Sequence, residues 1–100
     1  MIRAYIGLGA NLDNPAGQLA SAVTAIAELP QSVIQGISSV YRSPPMGPQN
    51  QPDYLNAVLA LMTELTPGAL LTALQGIEHA QGRLRGEHWG ARTLDLDILL

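Results

Sequence analysis

LDLDILL, residues 94–100, sets Leu94, Leu96, Ile98 and Leu100 in alternation with Asp95 and Asp97. In an extended chain successive side chains point to opposite faces, so the stretch reads as a strand with one aliphatic and one acidic face. The aliphatic face fixes the register, because a slip of one residue would carry two carboxylates into the core. Upstream, Thr66-Pro67 is a cap followed by proline at the first helical position, and Leu70, Leu74 and Ile77 continue at helical spacing to an end near Gly82. YLNAVLALMT, residues 54–63, is almost continuously apolar and reads as a central strand. Residues 32–42 mix Val33, Ile37 and Tyr41 with polar side chains, the pattern of one long strand. Asn14-Pro15 repeats the cap-then-proline signal ahead of Leu19, Ala22, Val23 and Ile26, and Pro30 closes that helix. Residues 2–8 alternate again, with Ile2, Ala4, Ile6 and Leu8 on one face. The order β-α-β-β-α-β predicts an α+β, ferredoxin-like domain, an antiparallel sheet with both helices packed on one face.

Composition bounds the rest. One hundred residues, 47% hydrophobic, are the size of one domain with one core, so residues 1–100 are expected to form a single unit. With four aromatics and no Phe, that core must be built from Leu, Ile, Val and Ala. No apolar run approaches the roughly 20 residues of a membrane span, and the N-terminus reads as a strand, not a secretory signal. The absence of cysteine excludes disulfides and thiolate metal sites and fits a cytoplasmic location. A net charge of −3 argues against general nucleic-acid binding, and nothing in the pattern demands a partner, so a monomer is expected. The chain stops on Leu100 inside an apolar strand, without a turn or polar tail, which leads to the expectation that a C-terminal portion is missing.

Two connections are longer than the fold needs, and long loops in small domains are commonly functional. Residues 43–53, SPPMGPQNQPD, contain four prolines; residues 83–93, RLRGEHWGART, contain three of the five arginines and the only tryptophan. Asp95 and Asp97 taken alone are either two solvated carboxylates or a site for a hard divalent cation, Mg²⁺ above all, that would neutralise their repulsion. Arg83, Arg85 and Arg92 close by tip the balance, because guanidinium forks beside metal-binding carboxylates are the recurring parts of phosphoryl transfer. Gly7-Leu8-Gly9 has neither the length nor the lysine of a P-loop, so a nucleotide would be held by metal and arginine contacts. Tyr54 and Asn56 share a face and offer an aromatic plane and an amide, suited either to a core packing role or to a flat polar heterocycle. Three functions remain open at this point: phosphoryl transfer, a ferredoxin-like small-ligand-binding module without catalysis, and a metal-dependent hydrolase or nucleotidyltransferase.

HWGARTLDLDIL (88–99), AYIGLGANL (4–12), SSVYRSPPMGPQNQPDYLNA (38–57) and IEHAQGRLR (77–85) together resemble the 6-hydroxymethyl-7,8-dihydropterin pyrophosphokinase family. The resemblance implies transfer of the β,γ-pyrophosphoryl group of ATP to the pterin hydroxymethyl oxygen, with release of AMP. It implies that Asp95 and Asp97 hold two Mg²⁺ ions and that Arg83 and Arg92 act catalytically on the phosphates, with Arg85 beside them. Ser43, Pro44, Met46, Tyr54, Asn56 and Trp89 would contact the pterin; Leu71, Gln75, Glu78, Arg83, Arg85, Trp89, Arg92 and Ile98 would contact the nucleotide. Trp89 would belong to a loop that closes over both substrates and excludes water. Against the family pattern, Ser43 stands where Thr is expected, Ala91 where Pro is common and His88 where Arg is common. The loop between Arg85 and Trp89 is also one residue shorter.

Overall fold

A computed structural model describes residues 1–11, 14–44, 53–81 and 94–99. Seven elements follow in order: β1 (Ile2–Ala10), α1 (Pro15–Ala27), β2 (Ser32–Ile37), β3 (Tyr41–Ser43), β4 (Tyr54–Thr63), α2 (Pro67–Ala80) and β5 (Asp95–Ile98). The strands form one antiparallel sheet in the order β2-β4-β1-β5, with β3 paired to β4 beyond the end of β2. That order is the ferredoxin-like one, with β2 and β3 sharing a single sheet position.

Both helices start as their sequences dictate. Thr66 Oγ1 accepts the Ala69 N–H at 3.1 Å and Pro67 opens α2. Asn14, at φ 61°, accepts the Gly17 N–H at 3.4 Å through Oδ1 and Pro15 opens α1. The apolar stripes Leu19, Ala22, Ile26 and Leu70, Leu74 then lie against the alternate strand residues Ala4, Ile6, Leu8, Leu59, Leu61, Leu94 and Leu96 in one core. Ile6, Ile26, Leu59, Leu61, Leu74 and Leu94 are fully buried, each contributing about 1.5–3 kcal/mol of hydrophobic stabilisation. The C-terminal end of α2 is tied to the first turn of α1 by Gln81 Nε2, which donates to Gln18 O at 3.1 Å and to Gln18 Oε1 at 2.7 Å. One face of the sheet is thereby covered and the other left to hold a site.

The long strand expected over residues 32–42 is instead two strands. Its register against β4 shifts at a bulge between Ile34 and Gly36. At Ser38 the side chain enters the ladder: Val58 N–H donates to Ser38 Oγ at 2.8 Å while Ser38 N–H donates to Val58 O at 2.8 Å. A hydroxyl in place of a carbonyl ends β2, and pairing resumes only at Tyr41, opposite Asn56.

Candidate active site

The uncovered face carries two rows of residues running across the strands. In the first, Tyr41 of β3 pairs with Asn56 of β4, Asn56 with Gly9 of β1, and Gly9 with Asp95 of β5. In the second, Val58 pairs with Gly7 and Gly7 with Asp97. All seven line one cavity of about 640 Å³, walled also by Ser43, Pro44, Tyr54 and Leu99. Strands lie about 4.8 Å apart, so the floor places Asn56 and Asp95 roughly 10 Å from each other, with glycine between them. The volume falls within the range of small-molecule sites.

One end of the cavity is amide and hydroxyl. Asn56 Nδ2 donates to Ser43 Oγ at 2.8 Å, with Tyr41 O and Tyr54 O each at 3.5 Å. Three acceptors around one end of the amide identify it as the NH₂ and turn Oδ1 the other way, over Gly9. Ser43 Oγ accepts from Asn56 and keeps its own O–H to donate. Together they offer an acceptor and a donor to the edge of a flat ring, with half-buried Tyr54 beside them.

The other end is acidic. Asp95 is half-buried and Asp97 exposed, and their Cα atoms are about 7 Å apart along β5. Leu94 and Leu96 are buried on the opposite face and Ile98 packs partly against the core, so the alternation expected of this strand holds. Among the described residues no third His, Cys, Asp or Glu joins the pair. That donor set suits Mg²⁺, which takes one or two carboxylates and fills its octahedron with water and phosphate oxygens.

β5 is an edge strand, and α2 supplies what its outer side lacks. The Leu99 N–H donates to Tyr5 O at 2.7 Å, which sets the ladder phase: Asp95 and Asp97 bond inward to β1, while Leu96 and Ile98 face outward. Glu78, buried near the end of α2, meets the outward Leu96 N–H with Oε2 at 2.7 Å. Of the proposed nucleotide contacts, Leu71, Gln75 and Glu78 fall at i, i+4 and i+7 on α2. Leu71 and Gln75 are exposed, whereas Glu78 turns into the protein and holds β5 from the helical side. Ile98 turns its outward backbone groups to the same edge.

The fold thus brings together Ser43, Pro44, Tyr54, Asn56, Asp95 and Asp97 in one cavity; Met46, Arg83, Arg85, Trp89 and Arg92 lie outside the described residues, as do His88 and Ala91. Sequence reasoning missed Gly7 and Gly9 as the floor, and Tyr41, Val58 and Leu99 as walls. The signal was present as two glycines at period 2 in one strand, the mark of a place where something must approach the backbone closely.

The family model of 7,8-dihydro-6-hydroxymethylpterin-pyrophosphokinase matches residues 5–100. The chain is 56% identical over 100 residues to a 2-amino-4-hydroxy-6-hydroxymethyldihydropteridine pyrophosphokinase of Haemophilus influenzae, covering 100% of this chain and 62% of that protein. It is 56% identical over 99 residues to the enzyme of that name from Pseudomonas putida, covering 99% of this chain and 82% of the relative. The corresponding Pseudomonas aeruginosa protein is 50% identical over 98 residues, covering 98% of this chain and 60% of the relative. The chain therefore spans about three fifths of the length of two of these relatives. With the family model matched from β1 to the end of the chain, this protein belongs to the 7,8-dihydro-6-hydroxymethylpterin-pyrophosphokinase family.

Proposed function

We propose that the protein transfers the pyrophosphoryl group of ATP to the hydroxyl of 6-hydroxymethyl-7,8-dihydropterin, releasing AMP, as a cytoplasmic step of tetrahydrofolate biosynthesis. The observation that carries the reading is the single cavity with an amide–hydroxyl pair at one end and a carboxylate pair at the other. A bicyclic ring anchored at Asn56 and Ser43, with Tyr54 beside it, extends its hydroxymethyl arm across the glycine floor toward Asp95 and Asp97. The hydroxyl oxygen forms a bond to the β-phosphorus, the bond from that phosphorus to the α,β-bridging oxygen breaks, AMP departs, and the hydroxyl proton is released.

In this reading Asp95 and Asp97 hold two Mg²⁺ ions, which neutralise the triphosphate and align the reacting oxygens when bound. Asp97, the more exposed carboxylate, faces the incoming nucleotide, and Asp95, in the same row as Asn56, faces the pterin arm. Leu71, Gln75 and the edge of β5 at Ile98 form the nucleotide side, with Arg83, Arg85, Arg92 and Trp89 contributing from the 83–93 loop and Met46 from the 43–53 loop. Both ligands are small molecules, the protein acts as a monomer, and residues 1–100 belong to one pyrophosphokinase domain.

The test is Asp97→Ala. Because Asp97 is exposed on the uncovered face, the variant should keep the wild-type melting temperature. It should lose turnover by about a hundredfold or more, the scale of removing one electrostatic contact to a developing charge. Activity retained within a few-fold would remove the metal role. Calorimetry with Mg²⁺, a non-hydrolysable ATP analogue and a pterin adds an independent check: one site must take both ligands.

A further inference from the structure

Glycine at residue 9 is costly in a strand interior, where it contributes no packing and loses more chain entropy than any other residue. It is buried in β1, between Asn56 on one side and Asp95 on the other. Because its N–H and C=O are committed to β5, its pairing with Asn56 is the non-hydrogen-bonded kind, in which facing side chains come closest, with Cα atoms about 4.5 Å apart. A β-carbon built on Gly9 would stand 3.3 Å from Asn56 Oδ1, with Tyr54 Cδ1 next at 3.8 Å and Leu55 O at 3.9 Å. The tight contact is thus with the amide oxygen alone. That oxygen lies where a side chain on β1 would be, while the other end of the same amide reaches over β4 to Ser43 Oγ at 2.8 Å. The amide is thus held at its Nδ2 end by Ser43, with Oδ1 lying over the bare backbone of Gly9.

We infer that Gly9 is a positioning residue for the pterin: by carrying no side chain it lets the Asn56 amide lie across β1 with Oδ1 fixed for the ligand. The inference rests on the function proposed above. Gly7, one row away, differs in kind. A β-carbon there would meet only the side chain of Leu99, at 3.4–3.6 Å, an ordinary contact with a flexible group. Gly9 alone is therefore tied to the amide.

The perturbation is Gly9→Ala. The new methyl must displace Oδ1 by a few tenths of an ångström, which moves the acceptor off its position and strains the 2.8 Å bond from Nδ2 to Ser43. Pterin binding, followed by the fluorescence of 6-hydroxymethylpterin, should weaken about tenfold, while binding of a non-hydrolysable Mg-ATP analogue should change less than about twofold. KM for the pterin should rise with little change in kcat. The double variant Gly9→Ala/Asn56→Ala should bind pterin no worse than Asn56→Ala, since the methyl acts only through the amide. Should Gly9→Ala alone fail to fold, the double variant should fold, because the offending oxygen is gone. Three outcomes overturn the inference: wild-type pterin affinity in Gly9→Ala, additive losses in the double variant, or a double variant as unfolded as the single one. A wild-type protein that binds no pterin overturns the functional reading itself, and the inference with it.

Discussion

Glu78→Leu removes the carboxylate that receives the buried Leu96 N–H at 2.7 Å and leaves that donor at the outer edge of β5 with an aliphatic neighbour. A hydrogen bond to a charged acceptor contributes about 1.5–3 kcal/mol net, and an orphaned buried N–H costs about 1–3 kcal/mol. Leucine recovers part of this through its own burial, so a net loss of about 2 kcal/mol is expected. Glu78→Gln keeps an acceptor in place and gives up only the charge, for a loss of about 1 kcal/mol. For a chain of 100 residues these losses correspond to lowering Tm by about 8–16 °C and about 4–8 °C respectively. Urea unfolding followed by circular dichroism measures both, with an unchanged slope showing that stability alone moved. Because the strand carries Asp95 and Asp97, calorimetric affinity for a Mg-nucleotide should fall in the same order, Leu more than Gln. Wild-type stability in both variants would refute the reasoning, and equal losses in both would assign the effect to the charge instead of the acceptor.

Two further outcomes follow from other parts of the molecule. Asn56→Ala should weaken pterin binding by about tenfold or more, since Oδ1 and the hold on Ser43 are lost together, with nucleotide affinity within about twofold; parallel titrations of the two ligands check this, and equal losses would refute it. Gly76→Ala should raise stability by about 0.5–1 kcal/mol, because Gly76 is exposed within α2 and a β-carbon there meets nothing within 4 Å; chemical denaturation decides the sign.

The fold was legible because its signals were redundant. Thr66-Pro67 and Asn14-Pro15 mark helix starts by the same chemistry, and Leu94 and Leu96 take the buried face that their alternation with Asp95 and Asp97 requires. The break at Ser38 was not legible, because nothing local distinguishes a serine that ends a strand from one within it. The distinction lies in Val58, 20 residues away, whose N–H finds a hydroxyl. The site was legible by residue type and not by neighbourhood. Asp95, Asp97 and Asn56 drew attention as candidates by their chemistry and Ser43 through the family resemblance, but their distribution over one face depends on registers that pair β4 with β1 and β3, and β1 with β5. Glu78 shows the same limit: it lies near the C-terminus of α2, where the helix dipole disfavours a carboxylate, and its partner Leu96 is visible only in three dimensions.

The interruption at Ser38 gives the amide end of the cavity a thermodynamic independence that a continuous strand would deny it. β3 is three residues long, its Tyr41 and Arg42 are exposed, and it holds to β4 alone. Short, exposed segments of this kind open by local fluctuation, at free energies far below global unfolding. Amide protons of Tyr41–Ser43 should accordingly exchange with solvent well before those of β1 and the paired core of β4. Ser43, and with it the 2.8 Å bond that anchors the Asn56 amide, sits on this short strand, so occupancy of the cavity and order of that strand are thermodynamically linked.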